Sequence, residues 1–294
     1  MNKKAVFCVV GAGCLWGIIS LFIRKLSEAG MNSLQIGFIR TLVAMILFVA
    51  VGLIRDRKSL KIAPKDLWIF AGTGIVSIAV FNLLYFYTML QSQTSVAVVL
   101  LYTSPVFVML LSALLFKEKV TARKVLALIL TILGCILVAG LGEGKLAVPP
   151  LILLTGIGSG LFYALYTIFA RFALDKYSSL TTTVWTFILA TAGMTVTGDP
   201  VGTMGIIGKD PGLLFWILGL AVCSTALPYF LYTLGLQHME SGKAAILVAV
   251  EPMVGTLMGV FLWGDPMSLF KGMGVVLILA SVVLLNLKTA REGK

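Results

Sequence analysis

Residues 67–116, LWIFAGTGIVSIAVFNLLYFYTMLQSQTSVAVVLLYTSPVFVMLLSALLF, decide the fold class. They lie between Asp66 and Lys117 and form 50 consecutive residues without Asp, Glu, Lys or Arg. The hydrocarbon core of a bilayer is about 30 Å thick and takes about 20 apolar residues of helix to cross. This one run therefore holds two membrane spans.

The rest of the chain agrees. Of 294 residues, 59% are hydrophobic and 12% charged, against roughly 25% charged in an ordinary soluble domain. Charge-poor stretches predict ten helices, at 5–23, 34–54, 67–88, 94–116, 125–141, 150–170, 180–197, 213–236, 244–263 and 270–287. Each is too long for a membrane-spanning strand, and the two-residue alternation of a β-barrel is missing. The expected fold is an all-α polytopic membrane protein. The first apolar stretch has no obvious signal cleavage site and is followed by further spans, so it reads as a retained helix.

The net charge of +11 does not point to nucleic acid, because no basic stripe is interleaved with aromatics. Lys and Arg fall instead in short gaps between apolar runs, where they report orientation. With ten spans, the loops on the side of the termini carry 17 basic residues and the opposite loops five, leaving Arg40 inside a span. The excess predicts both termini in the cytoplasm. The loops are too short for a separate soluble domain.

Sliding the chain on itself by 147 residues superimposes two halves, 1–147 and 148–294. Gly11, Gly13, Phe22 and Arg24 fall on Gly158, Gly160, Phe169 and Arg171, and Trp16 falls on Tyr163. Tyr85 falls on Tyr232, Pro105 on Pro252 and Glu118 on Asp265. Five helices per half is an odd number, so the second copy enters the membrane from the other side. Inverted halves of this kind allow two mirror-related gates around a central site.

The run 95–120, with Ser104-Pro105 inside the fourth span and Lys117-Glu118-Lys119 after it, resembles the EamA signature of the drug/metabolite transporter superfamily. Glu251-Pro252 and Gly264-Asp265 resemble the partner half, and Trp16-Gly17 and Arg40 fit the same pattern. The chain departs from it at Asp265, where many members have Glu, and at Lys119-Val120-Thr121, in place of basic-Leu-Thr. The resemblance implies a ten-helix inner-membrane carrier, usually an exporter of amino acids or other small metabolites. It also implies a central cavity lined mainly by spans 1, 3, 4, 6, 8 and 9.

Glu251 is the only acidic residue well inside a span. A carboxylate is costly in hydrocarbon, so it should face the bundle interior or a wet cavity. There it can exchange a proton for substrate or bind a substrate ammonium; as a structural alternative, it caps donors freed where Pro252 interrupts the helix. Arg40 can meet a substrate carboxylate, but snorkelling to the interface explains it without a ligand. Pro105, Pro228 and Pro252 predict kinks and candidate hinges, and carbonyls freed near Tyr102, Thr103 and Ala249 can bind polar groups.

Trp16, Asn82, Tyr85, Tyr102, Tyr163, Tyr166, Tyr229 and Tyr232 recur on helices expected to line the cavity. Together with Thr103 and Glu251 they form the candidate substrate-binding set. Tyrosine offers an aromatic face and a hydroxyl, although it also anchors helices at the membrane interface. The pairs Gly13/Gly17, Gly156/Gly160 and Gly255/Gly259 have the spacing that lets membrane helices approach closely.

Cys8, Cys14, Cys135 and Cys223 lie in apolar runs without ligand spacing, and His238 is the single histidine. Neither a metal site nor a cofactor is expected. No GxxxxGK[ST] loop is present to use ATP, which favours a gradient-driven secondary transporter of a small amphiphilic metabolite, coupled to protons or facilitated. Import of a quaternary ammonium compound such as choline is the alternative. Ser159, in Gly158-Ser159-Gly160, superficially fits an intramembrane enzyme, but such a serine needs a histidine base and His238 falls in a turn. A channel or scaffold has less use for inverted halves. The expected partners are a small-molecule substrate, the bilayer and protons; the sequence leaves monomer and homodimer open.

Overall fold

A computed structural model describes residues 2–92, 94–140 and 148–287, with the side chains of Ser59 and Thr94 excepted. The expected end of the fifth span at 141, the boundary between halves at 147, and Lys145, Lys288, Arg291 and Lys294 of the charge count lie outside these residues. The principal helices are α1 Lys3–Glu28, α2 Ser33–Arg55, α3 Pro64–Gln91 and α4 Ser95–Phe116, then α5 Ala122–Val138. They continue with α6 Pro150–Leu174, α7 Ser179–Thr197, α8 Leu213–Leu236, α9 Ser241–Trp263 and α10 Leu269–Asn286. Among the described residues, nine of these helices are long and apolar enough to cross a membrane, and α5 is an apolar helix of 17 residues. A short helix, Pro200–Lys209, joins α7 to α8.

Polar residues fix the helix ends. α1 runs past its expected end at 23 because Arg24 and Lys25 both pair with Glu28, at 3.2 and 3.0 Å. At the start of α2 the Asn32 side chain accepts from Gln35 N while Gln35 returns a bond to Asn32 N, a reciprocal cap. Thr121 caps α5 through Lys124 N, and Ser268 caps α10 through Lys271 N.

Several helices are broken midway. In α3 the segment Gly72–Val80 is a π-helix, with Ser77 Oγ donating to Gly72 O at 2.7 Å, and α8 has a π segment at Val222–Ala226 just before Pro228. α4 turns at Tyr102 and Thr103, and a new helical segment begins at Ser104-Pro105. α9 tightens to a 3-10 turn at Val248–Val250 before Glu251-Pro252. In both, proline sits in the first turn of the second segment, where its missing N–H is least costly.

The packing exchanges elements between the two parts of the chain. α1 lies on α8 and α9, while α6 lies on α3 and α4; α2 packs on α7 and α5 on α10. Small residues permit these approaches: a Cβ on Gly13 would stand 2.6 Å from Val248 O, and a Cβ on Gly160 would stand 2.5 Å from Thr103 Oγ1. Buried hydroxyls tie the contacts together, Thr73 to Thr186 at 2.7 Å and Thr131 to Ser281 at 2.9 Å. In hydrocarbon, such packing and polar contacts replace the hydrophobic drive that holds soluble bundles together.

Candidate functional site: a cavity open on one face

The inner ends of α1, α3, α4 and α9 enclose a cavity of about 560 Å³. Its mouth is formed by residues such as Arg24, Ser33, Met89, Ser95, Asp265 and Lys271. These are the ends of helices that start on the side of the chain termini, or the starts of helices that run back to it. The cavity therefore opens on the face opposite Lys3 and Asn286.

Glu251 lines this cavity with Trp16, Tyr85, Tyr102 and Pro252. The break in α9 places it there, because the 3-10 turn and Pro252 interrupt regular helix at that level. Tyr102, at the corresponding break in α4, and Tyr163 from α6 bring their hydroxyls near it, and Arg40 acts on it through charge. Arg40 is half-buried, its Nε is shielded from solvent without a hydrogen-bond partner, and its charge acts on Tyr229.

Beneath the cavity the aromatics close on one another. Tyr229 is at 5.0 Å from both Trp16 and Tyr166 and at 5.1 Å from Phe187, all edge to face. Tyr166 bonds Thr233 at 3.0 Å and Thr167 bonds Tyr232 at 2.7 Å. Pro105, Tyr163, Tyr166, Tyr229 and Tyr232 surround only about 20 Å³ of free space, little more than one water.

Polar contacts complete the closure on the side of the termini. Glu118 accepts from Ser241 N at 2.6 Å and Gly242 N at 3.1 Å, so a residue after α4 caps the start of α9. Lys124, almost fully buried, reaches Glu240 at 3.0 Å and Glu118 at 3.9 Å. Burial opposes ionisation of Glu240, but the ion pairs with Lys243 and Lys124, at 2.9 and 3.0 Å, outweigh it and hold the carboxyl below its ordinary range. Arg171 donates to Leu236 O and Met239 O at 3.1 and 3.3 Å.

Two members of the expected set stand apart. Asn82 is buried and donates to Ile78 O at 2.6 Å on its own helix, and Thr103 donates to Leu100 O at 2.6 Å. Ser159 is likewise buried, its hydroxyl spent on Gly156 O at 2.7 Å. The closure built on Glu118, Lys124 and Arg171 joins positions far apart in sequence. Its one sequence signal is the match of Arg24 to Arg171 and of Glu118 to Asp265.

A bundle of membrane-length helices that holds a cavity reaching from one face to a half-buried carboxylate defines a multi-pass membrane transporter. The sequence profile of the EamA-like transporter family matches residues 3–140 and again residues 150–287, and the chain belongs to that family. An uncharacterized transporter of Archaeoglobus fulgidus is 30% identical over 285 residues, covering 94% of each chain. The uncharacterized inner membrane transporter YicL of Salmonella typhimurium is 26% identical, covering 100% of this chain and 98% of its own. A solved crystal structure covers both chains fully with a TM-score of 0.82 at 16% identity, a likeness of fold.

Proposed function

We propose that the protein is a secondary transporter that carries a small amphiphilic metabolite, an amino acid or a close relative, out of the cell by alternating access and couples that movement to protons at Glu251. It crosses the cytoplasmic membrane ten times, with both termini in the cytoplasm and two inverted halves, 1–147 and 148–294. The 17-to-five excess of basic residues on the terminal side supports the orientation. The 17 residues of α5 suit a tenth crossing, at the lower end of the roughly 17–25 residues a span requires.

One observation carries the reading: Glu251 lines a cavity open to one face together with Trp16, Tyr85 and Tyr102, and Arg40, just outside that lining, acts on it through charge. A zwitterion presents an ammonium to Glu251 and a carboxylate to Arg40. The aromatic walls suit an apolar side chain. When the terminal-side contacts part and the mouth closes, the same groups face the cytoplasm.

A quaternary ammonium substrate is the second reading, favoured by Trp16, Tyr85 and Tyr102 beside Glu251. Thermal stabilisation of the purified protein separates the two, since a ligand that binds only the folded state raises its apparent stability. Zwitterionic amino acids should stabilise it and choline should not; the reverse result transfers the assignment to the second reading. In proteoliposomes, Glu251→Gln should abolish uptake driven by a pH gradient and leave uncoupled exchange. Full pH-driven accumulation by this variant would refute proton coupling there.

A further inference from the structure

The two closing corners of the molecule are built alike. Lys117 and Gly264, 147 residues apart, both end their helices in the left-handed conformation, at φ 55° and 70°. The next residue in each case turns its amide back onto the helix, Glu118 N to Ser112 O at 3.3 Å and Asp265 N to Gly259 O at 3.2 Å. Lys124 Nζ then donates to Lys119 O at 2.8 Å, and Lys271 Nζ to Pro266 O at 3.1 Å. Every atom pair is related by the same offset.

The corners differ in one respect. The Glu118 carboxylate holds the Ser241 and Gly242 amides, and its side chain is only 9% exposed. The Asp265 carboxylate holds no amide among the described residues and stands exposed at the cavity mouth, which Ser95 also lines. Subtracting 147 from Ser241 and Gly242 gives Thr94 and Ser95, the first residues of the helix that runs into α4. Their amides belong to a first turn, which has no intrahelical partner.

We infer that Asp265 is the reciprocal latch of Glu118: when the mouth closes, its carboxylate takes the Thr94 and Ser95 amides as Glu118 now takes those of Ser241 and Gly242. The carboxylate trades water for two backbone donors at a helix start, where the dipole also favours negative charge. Asp is one methylene shorter than Glu, so α4 must approach closer at this corner than α9 does at the other. The latch assigns a role to the acidic residue that closes each half's signature. It rests on the alternating-access reading above, and the test keeps the two apart.

The reporters are Ser20 and Thr167, which are also 147 residues apart. Ser20 lines the open cavity, and Thr167 is buried in the closed end. In full-length protein purified in detergent, with the native cysteines replaced by alanine, Thr167→Cys reacts with a sulfonated maleimide only when the terminal side opens. Ser20→Cys reports the mouth. Glu118→Gln keeps an acceptor oxygen but loses the charge, so the engaged latch weakens and labelling at Thr167→Cys should rise roughly three- to tenfold, the range for trading a charge-assisted hydrogen bond for a neutral one.

Adding Asp265→Asn to Glu118→Gln should bring that rate back toward the starting value, because both closed states are then weakened alike. If the added change leaves the rate raised, the latch is refuted while alternating access stands. If Glu118→Gln itself leaves Thr167→Cys unlabelled, the terminal side does not open and both readings fall. Where Asp265→Asn does not yield folded protein, Asp265→Glu replaces it; the longer carboxylate should raise labelling at Thr167→Cys, and no rise refutes the latch.

Discussion

Gly13 and Gly160 meet equivalent atoms of opposite halves. A Cβ on Gly13 would meet Val248 O at 2.6 Å and Val250 Cγ2 at 2.7 Å; a Cβ on Gly160 would meet Thr103 Oγ1 at 2.5 Å and Leu101 O at 3.1 Å. The offset that relates the glycines also relates Leu101 to Val248 and Thr103 to Val250. The first helix of each half therefore seats at the break in the fourth helix of the other, beside Tyr102 and Glu251.

Side chains at these two positions should destabilise the fold. Gly13→Val and Gly160→Val are each expected to cost about 1–3 kcal/mol by overpacking, read as a lower thermal unfolding temperature in detergent. Gly205, with nothing within 4 Å of its added Cβ, is the control. Gly205→Ala in the middle of its short helix should be neutral or stabilise by up to about 1 kcal/mol.

The hydroxyls beside Glu251 should matter for transport more than for folding. Replacing Tyr102 and Tyr163 together by Phe keeps the rings but removes both hydroxyls that act on the carboxylate. Uptake into proteoliposomes should fall by about tenfold or more, as expected for hydrogen bonds to a charged group. An unchanged rate would mean that Glu251 does not depend on them.

Arg40 offers a test of which end of a substrate it meets. Arg40→Met should end stabilisation by amino acids and spare stabilisation by the matching amines that lack a carboxylate. Arg40→Lys should recover part of the response, since lysine keeps the charge without the planar fork. Equal losses for both ligand classes would show that Arg40 does not meet the substrate carboxylate.

The terminal-side network should respond to acid. Glu240 has its carboxyl held below the ordinary range by Lys243 and Lys124. Its stabilising contribution is therefore complete above the unfolded value of about 4.3 and is lost as pH falls through the lower folded value. Thermal unfolding temperatures of wild type and Glu240→Gln should differ at pH 6 and converge as the pH drops below that window. A constant gap across the range would show that the ion pairs contribute nothing there.

The sequence makes the helices legible because apolarity is a local property, and it makes the two halves legible because Gly11, Gly13 and Pro105 recur at one offset. Glu251 stands out for the same reason, a lone charge in an apolar run. Direction is another matter. Depth along α2 does not say which way Arg40 points, because that depends on neighbours such as Tyr229, distant in sequence. Asn82 reads as a cavity residue from its sequence, and in the structure its amide donates to Ile78 O, a bond its own helix can always offer. The closure by Glu118 joins positions more than 100 residues apart, and no local pattern announces it.

The exchange of helices between halves has a consequence for how the protein is made. α1 rests on α8 and α9, so the ribosome must add about 185 further residues after Glu28 before α8 begins at Leu213. At about 5–20 residues per second that takes roughly 10–40 s, during which the glycine face of α1 lies in lipid without its seat. Biogenesis thus passes through a stage in which the first half is fully inserted yet unfinished. A chain truncated before α8 would be left in that stage, its small-residue face open to any other helix in the membrane.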